Sequence, residues 1–269
     1  MGNYQIFSAV FLREYKVRKR YKLDFWALII RPMINILPYI FFIEYMFLND
    51  NLENNINISD YRMYLIVSVI TINFVSNTIS DSMTSIVGQI QQGSMEVMAV
   101  MPVDLKFIWG VELLFSGVLQ MSIAVCLFTV LCIVEKINII IYHPLIFLYV
   151  LFCTFCLNIG IGILLSGITL QTKMTKMAYM LISILMFTAG EIYPITVFPK
   201  FLRLIALCNP LTYLLDIVRY SILGTNTYFA VKMEMFWLLI LSVVFILYSF
   251  FQCEMLLKRM KKEGNLTKY

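Results

Sequence analysis

Long apolar runs alternate with short polar segments along almost the whole chain. Most of these runs approach or exceed the roughly 20 residues that a helix needs to cross a bilayer, although the fifth is short for a full crossing. They predict six transmembrane helices, at residues 25–48, 61–79, 105–134, 144–170, 177–189 and 235–251. The pattern therefore predicts a single all-α integral membrane domain over residues 1–269, with a six-span bundle at 24–257.

Residues 1–23, ahead of the first span, predict an amphipathic helix on the cytoplasmic side. Apolar side chains including Phe7 and Phe11 fall on one side at helical spacing, and the other side carries Arg13, Lys16 and Arg20. A basic helix of this kind lies in the membrane interface against lipid headgroups, which makes membrane lipids expected partners. A solvated basic tail is the alternative interpretation.

Basic residues crowd both ends of the chain, and residues 258–269 form a second basic segment. If both termini are cytoplasmic, fifteen of the 21 Lys and Arg residues fall on the cytoplasmic side of a six-span layout. Cytoplasmic loops carry such an excess, so we expect both termini in the cytoplasm.

Composition narrows the chemistry further. With 61% hydrophobic and 14% charged residues, the chain differs from soluble domains. Cys153 and Cys156 have neither a second pair nor a nearby His to complete a metal site, so no metal site is expected. The net charge is +5, but the sequence has no basic groove interleaved with aromatic residues. Nucleic acid is therefore not an expected partner. None of the 11 glycines precedes Lys, so the chain has no phosphate-binding loop and we expect no ATPase activity of its own.

Residues 190–224, between the fifth and sixth runs, are broken by proline and carry charges. The segment FPKFLRLIALC predicts a short helix with Pro199 in its first turn. NPLTYLLDIVRYSILG predicts a second helix with Asn209 as N-cap and Pro210 at its first position. Each helix is too short to span, so they predict a re-entrant helical hairpin that dips into the outer leaflet from outside and could act as a gate.

Ionisable residues at membrane depth are candidate functional residues. Glu112 could pair with a basic residue near the inner surface or face a transport path, and its position about two turns from the cytoplasmic end favours pairing. Glu44 is expected at the hydrated outer interface. Asp216 and Arg219 lie three residues apart on one predicted helix, and we expect them to pair with each other.

The hairpin residues also carry a family resemblance. Their pattern resembles the C-terminal signature of ABC-2-type membrane subunits, matched by Gly190, Pro194, Pro199, Asn209, Pro210, Leu211, Thr212, Tyr213, Asp216, Arg219 and Gly224. The basic N-terminal helix and the segment QGSMEVMAVMPV between spans two and three agree with the same family. The resemblance covers nearly the whole chain and implies a type V exporter-like fold.

The resemblance implies a permease subunit in a bacterial plasma membrane. It would pair with a second membrane subunit, identical or different, and with two cytoplasmic ATPase subunits that hold ATP and Mg. The N-terminal helix and the loop after span two would make the docking contacts. Gly93, Glu96 and Pro102 match the family's loop pattern, and the implied ATPase-coupling helix consists of Gln92, Gly93, Ser94, Met95, Glu96, Val97 and Met98.

The spans have no charge-lined path, so the expected substrate is an amphiphile such as a drug, an antimicrobial peptide or a lipid-like molecule. Export of a lipid-linked polysaccharide is an alternative within the family, because aromatic residues could stack on sugar rings. A proton-coupled secondary transporter that uses Glu112 and Glu44 as carriers is a further alternative, and a membrane scaffold or sensor is another. Only the exporter accounts for the N-terminal helix, the coupling-like loop and the hairpin together.

Overall fold

The computed structural model describes residues 3–48, 58–92, 105–134, 141–172 and 175–263. Their secondary structure is almost entirely helical. The helices are α1 (Asn3–Arg20), α2 (Lys22–Leu48), α3 (Ile58–Gln91), α4 (Leu105–Val134), α5 (Pro144–Thr172), α6 (Thr175–Thr188), α7 (Lys200–Cys208), α8 (Pro210–Leu223) and α9 (Val231–Glu263), with a 3-10 turn at Ile195–Val197.

Four helices are long and apolar enough to cross a bilayer, through the stretches Tyr61–Gln89, Phe107–Val134, Pro144–Thr169 and Val231–Met255. Helices α7 and α8, bent by 84° at their junction, reach a sufficient length only if they are taken together as one broken span. The apolar helices Trp26–Phe41 and Thr175–Thr188 are shorter. By length and composition, the described part of the chain therefore has four to five apolar spans, which makes it a multi-pass membrane protein.

Two helices extend beyond the predicted spans. Helix α3 continues past residue 79 as far as Gln91, because the polar side chains that follow are packed against α1 and α4. Helix α9 begins before residue 235, where buried Glu234 accepts a hydrogen bond from the backbone N–H of Phe229 at 2.7 Å. It continues to Glu263, so the first part of the predicted basic tail is helical.

Helix α5 lies at the centre of the bundle, where it packs along both α9 and α3. Gly160 allows the closest approach to α9: a Cβ atom there would lie 3.0 Å from the backbone nitrogen of Ile246 and 3.0 Å from the backbone carbon of Phe245. Side chains of α3, α5, α6 and α8 form the largest buried apolar cluster among the described residues, which includes Ile79, Met83 and Leu211. Gly160, a small residue of the kind that permits close helix contact, therefore fixes the distance between α5 and α9.

We expect Gly160→Ala to destabilise the chain by about 1–3 kcal/mol, because backbone atoms cannot rotate away from the new methyl group and α9 must shift. Gly110→Ala is the matched control, since a Cβ at Gly110 meets nothing within 4 Å. That control should be neutral or stabilising by up to about 1 kcal/mol through helix propensity. Thermal unfolding of both variants in detergent checks the prediction, and equal midpoints would contradict it.

Candidate functional site

Two polar clusters lie at opposite ends of α3. The Glu112 cluster consists of Arg13, Glu14, Arg18, Asp81, Gln89, Glu112, Ser116 and Gln120, and the Arg219 cluster consists of Tyr39, Tyr64, Ser68, Gly190, Glu191, Asp216 and Arg219. Ser68 and Gln89 are about 32 Å apart along α3 at 1.5 Å per residue. This distance matches the roughly 30 Å hydrocarbon core of a bilayer, so the clusters lie near its two faces.

At the centre of the first cluster is Glu112, on α4, which is only 3% exposed. The guanidinium of Arg13, on α1, donates a hydrogen bond to its carboxylate and forms an ion pair with it. The amide of Gln89 donates to both carboxylate oxygens, at 2.8 Å and 3.0 Å. Burial lowers the pKa of Arg13, but the charges of Glu112 and Glu14 outweigh it and raise that pKa above its ordinary value. Glu112 is therefore held as a paired, hydrogen-bonded carboxylate.

A second arginine of α1 reinforces this attachment. Arg18 donates a hydrogen bond to the hydroxyl of Ser116 on α4 at 2.9 Å and lies 3.8 Å from the carboxylate of Asp81 on α3. Gln120 donates to the same carboxylate at 2.8 Å. Arg13 and Arg18 thus connect α1 to both α3 and α4.

The apolar side of α1 packs on α4 rather than only facing lipid. Val10 is buried against Ile108 and Val111, and the ring of Phe11 meets Phe115 edge to face with 4.7 Å between centroids. Phe7, stacked on Phe11, remains partly exposed.

The predicted basic side of α1 divides in two. Lys16 and Arg20 are exposed, as a polar face requires. Arg13 instead turns toward α4, because the buried carboxylate of Glu112 needs a counter-ion.

Most of the predicted coupling helix falls between α3 and α4. Gln92 is exposed directly after α3, whereas Gly93, Ser94, Met95, Glu96, Val97 and Met98 lie outside the described residues. The side chain of Glu44 in α2 also lies outside them. The segment 93–104 joins α3 and α4 along the chain. These are the two helices to which Arg13 and Arg18 attach α1.

The Arg219 cluster surrounds a buried cation that is 2% exposed. Arg219 donates hydrogen bonds to the Ser68 hydroxyl at 2.8 Å, the Gly190 carbonyl at 2.7 Å and the Glu191 carbonyl at 3.1 Å. Its guanidinium carbon lies 3.8 Å from the centroid of the Tyr64 ring, a cation–π contact. Asp216 is 3.5 Å away on the same helix, so the two residues predicted to pair do lie together, with the additional partners on other elements.

Side chains at the bend between α7 and α8 hydrogen-bond to nearby backbone groups. The side chain of Asn209 accepts from the Leu211 N–H at 3.0 Å as an N-cap and donates to the Leu185 carbonyl at 2.6 Å. Tyr213 donates to the Leu207 carbonyl at 2.7 Å, and Gly224 ends α8 with φ of +70°. The predicted N-cap is present, and the backbone groups at the junction of α7 and α8 are hydrogen-bonded inside the protein.

The remaining prolines of the hairpin mark its turns. Pro194 precedes the 3-10 turn and Pro199 precedes α7, while Pro210 occupies the first position of α8. Gly190 follows α6 with φ of +79°, a conformation that other residues rarely adopt, and this turn presents its carbonyl to Arg219.

Sequence reasoning missed several members of both clusters. Asn77, Asp81, Ser85 and Gln89 recur every four residues and so share one face of α3, which was a readable signal for a buried polar stripe. Arg18 interrupts the apolar side of the N-terminal helix at helical spacing, and that interruption alone does not identify Ser116 or Asp81 as its partner. For Ser68 and Tyr64, which contact Arg219, the sequence offers no signal, because those contacts join helices far apart in the chain.

A family model described as ABC-2 type transporter matches residues 5–223, which include both clusters and the hairpin. The chain belongs to the ABC-2 type transporter family. No match was found among curated proteins. The chain is therefore the permease subunit of an ABC-type transporter, a family whose membrane subunits work with an ATP-binding subunit and another membrane subunit.

In this ABC-2 permease, Glu191 connects the hairpin to α2. Burial raises the pKa of Glu191 to about 7, although the hydrogen bond from Tyr39 and the charge of Arg219 lower it. Because the ordinary value is 4.5, the folded state binds more protons than the unfolded chain between these values. The contribution of Glu191 to stability is thus fully present below about pH 4.5 and is lost as the pH rises through about 7.

We expect Glu191→Gln to remove this part of the pH dependence, which amounts to roughly 3 kcal/mol at most. The amide stays neutral, so the variant should lose less stability than the wild-type permease between about pH 5 and about pH 8. Unfolding midpoints in detergent across that range make the comparison. Identical pH profiles for the variant and the wild type would show that Glu191 does not titrate there.

Proposed function

We propose that this chain is the membrane subunit of an ATP-driven exporter that moves an amphiphilic substrate outward. The substrate class is a drug, an antimicrobial peptide or a lipid-like molecule. A separate ATPase subunit, present twice per complex, holds ATP and Mg. The second membrane subunit is a copy of this chain or a related one, and the complex lies in a bacterial plasma membrane.

The layout that we propose has six spans, with α2 and α6 as the first and fifth and with the α7–α8 hairpin re-entrant from outside. Cys253 near the end of α9 packs with Trp109 and Ile86, at the same end of the bundle as the Glu112 cluster. The N-terminal helix and the end of α9 therefore share one side. The excess of basic residues supports the cytoplasm as that side.

One observation carries the proposal: Arg13 and Arg18 attach α1 to the two helices that flank the segment 93–104. An ATPase that docks on α1 and on this segment would push the same pair of helices from both contacts. Helix α3 then extends about 32 Å to Ser68 beside Arg219, so it can pass the movement to the hairpin. In this mechanism ATP binding rocks α3 and α4, and the hairpin opens the pathway outward.

The ion pair and hydrogen bonds of Glu112 support this mechanism over proton-coupled transport. A proton carrier must lose and regain its proton in each cycle. Glu112 is instead paired with Arg13, and both of its carboxylate oxygens accept hydrogen bonds from the side-chain amide nitrogen of Gln89. Each of these partners favours the charged form of the carboxylate, and a carrier would have to break their contacts to take up a proton.

The experiment is affinity purification of the tagged chain from its native membrane in mild detergent, with identification of the proteins that accompany it. We expect an ATPase with a phosphate-binding loop, and we expect it to be lost when residues 92–98 are replaced by a Gly-Ser segment of equal length. Lys232→Gln, an exposed change on α9, is the control that should retain the ATPase. Absence of any ATPase while two membrane subunits stay together would overturn the proposal.

A further inference from the structure

A cavity of about 820 Å³ lies between α1, α2 and α3, beside the Glu112 cluster. This volume falls within the range of about 300–1,000 Å³ that is typical of small-molecule sites. The pairing of α1 with α4 does not fill it, although Arg13 and Arg18, which make that pairing, lie in its wall. The side chains that line it therefore indicate what it can bind.

Two hydrogen-bond donors in its wall have no partner in the described part of the chain. The amide nitrogen of Asn77 is buried without a hydrogen bond, in a residue that is only 4% exposed. Arg31, on α2, is exposed and lines the same cavity, and none of the described residues hydrogen-bonds to it. A buried amide without a partner is costly, which indicates a ligand group that accepts hydrogen bonds.

The other charges around the cavity are already paired. Glu14 lies 2.8 Å from Arg13, and Asp81 lies 3.8 Å from Arg18 while it accepts from Gln120 at 2.8 Å. Arg31 is within electrostatic range of Asp81 but forms no ion pair with it. Including Glu112 behind the wall, three arginines balance three carboxylates, and of these arginines Arg31 is the one that makes neither a hydrogen bond nor an ion pair with a described residue.

The wall also has an apolar side, formed by Val17, Ala27, Leu28 and Pro32. Arg31 lies about 13 Å along α2 from the first residue of that helix, on the same helix as the apolar residues Ala27, Leu28 and Pro32. A ligand that brings a phosphate to Arg31 and acyl chains to the apolar side matches both parts of the wall, whereas a small soluble anion matches only one. We propose that this cavity binds the phosphate of a membrane phospholipid, with Arg31 and Asn77 as its donors.

The test uses the full chain, purified in detergent and stripped of lipid. Dioleoylphosphatidylglycerol is added back, binding is counted by native mass spectrometry, and the unfolding midpoint is recorded. Dioleoylglycerol, which has the same chains without the phosphate, is the ligand control, and inorganic phosphate tests the soluble source. The variants are Arg31→Gln and Asn77→Leu, with Lys19→Gln as the control that removes one charge from α1 outside the cavity.

We expect one phosphatidylglycerol per chain and a higher unfolding midpoint for the wild type and for Lys19→Gln. Arg31→Gln and Asn77→Leu should each bind the lipid at least about tenfold more weakly, because each loses a hydrogen bond to a charged group. Without lipid, Asn77→Leu should be as stable as the wild type or more so, since it removes an unsatisfied amide. Lipid binding that is equal in all variants, or equal for dioleoylglycerol, would overturn the proposal. Equal protection by inorganic phosphate would overturn the lipid as its source.

Discussion

Arg219→Ala is expected to lower the free energy of unfolding by about 3–5 kcal/mol, enough to prevent the chain from accumulating as a folded membrane protein. The side chain is almost fully buried, and its removal leaves the carbonyls of Gly190 and Glu191 without their donor. It also leaves the carboxylate of Asp216 beside an empty space. Three elements, α3, α8 and the turn after α6, lose their common contact at once.

Arg219→Lys should rescue little of this loss. The guanidinium reaches the Ser68 hydroxyl and two backbone carbonyls in different directions while it stacks on the Tyr64 ring. A lysine ammonium carries its donors at one point on a flexible stem and cannot reproduce that arrangement. Size-exclusion profiles of fluorescently tagged variants in detergent, followed by thermal unfolding of whatever elutes as a single species, measure the effect.

Two further variants keep this prediction open to contradiction. Lys200→Ala, at an exposed position of the neighbouring helix α7, should change stability by no more than about 0.5 kcal/mol. Ser68→Ala removes one acceptor and should cost about 1 kcal/mol. If Arg219→Ala unfolded at the same temperature as Lys200→Ala, the Arg219 cluster would not stabilise the hairpin.

The hairpin and the Arg219 cluster show what a sequence can predict. Asn209 at the start of α8 and Gly224 past its end were predictable, because a cap depends on backbone groups only a few residues away. The contact of Arg219 with Ser68 was not predictable, since it joins α8 to α3 across most of the chain. Spacing alone could identify only Asp216, three residues from Arg219, as a partner.

The Glu112 cluster was also only partly predictable from the sequence, but for a different physical reason. A carboxylate in an apolar run requires a counter-ion, and residues 1–23 contain six basic residues as candidates. Choosing Arg13 among them requires the rotation of α1 against α4, which the packing of Val10 on Ile108 and Val111 sets. Amphipathicity alone placed Arg13 on the basic side of the helix, away from its apolar side. A pattern of apolar and polar residues does not distinguish a lipid-facing surface of a helix from one that packs on protein.

The second large effect is expected at this ion pair. Arg13→Ala should lower stability by about 2–3 kcal/mol, because Glu112 stays buried without its counter-ion and keeps, among the described residues, the hydrogen bonds from Gln89. Glu112→Ala should cost less. The Arg13 side chain is 36% exposed, so without Glu112 it can turn toward water and keep its contact with Glu14.

Measurements of substrate export and ATP hydrolysis test whether the Arg13–Glu112 pair transmits movement or only stabilises the fold. In the assembled complex, we expect either single variant to continue ATP hydrolysis at a rate within about threefold of the wild type while substrate export falls at least about tenfold, since the ATPase no longer moves α3 and α4 through α1. The double variant should show a coupling energy of about 1–3 kcal/mol in stability. Lys19→Ala, on the exposed side of the same helix, is the matched control for both readouts. If export and hydrolysis fell together in all of the Arg13 and Glu112 variants, the pair would hold the bundle together without transmitting the ATPase movement, and the transmission would have to run through residues 93–104 alone.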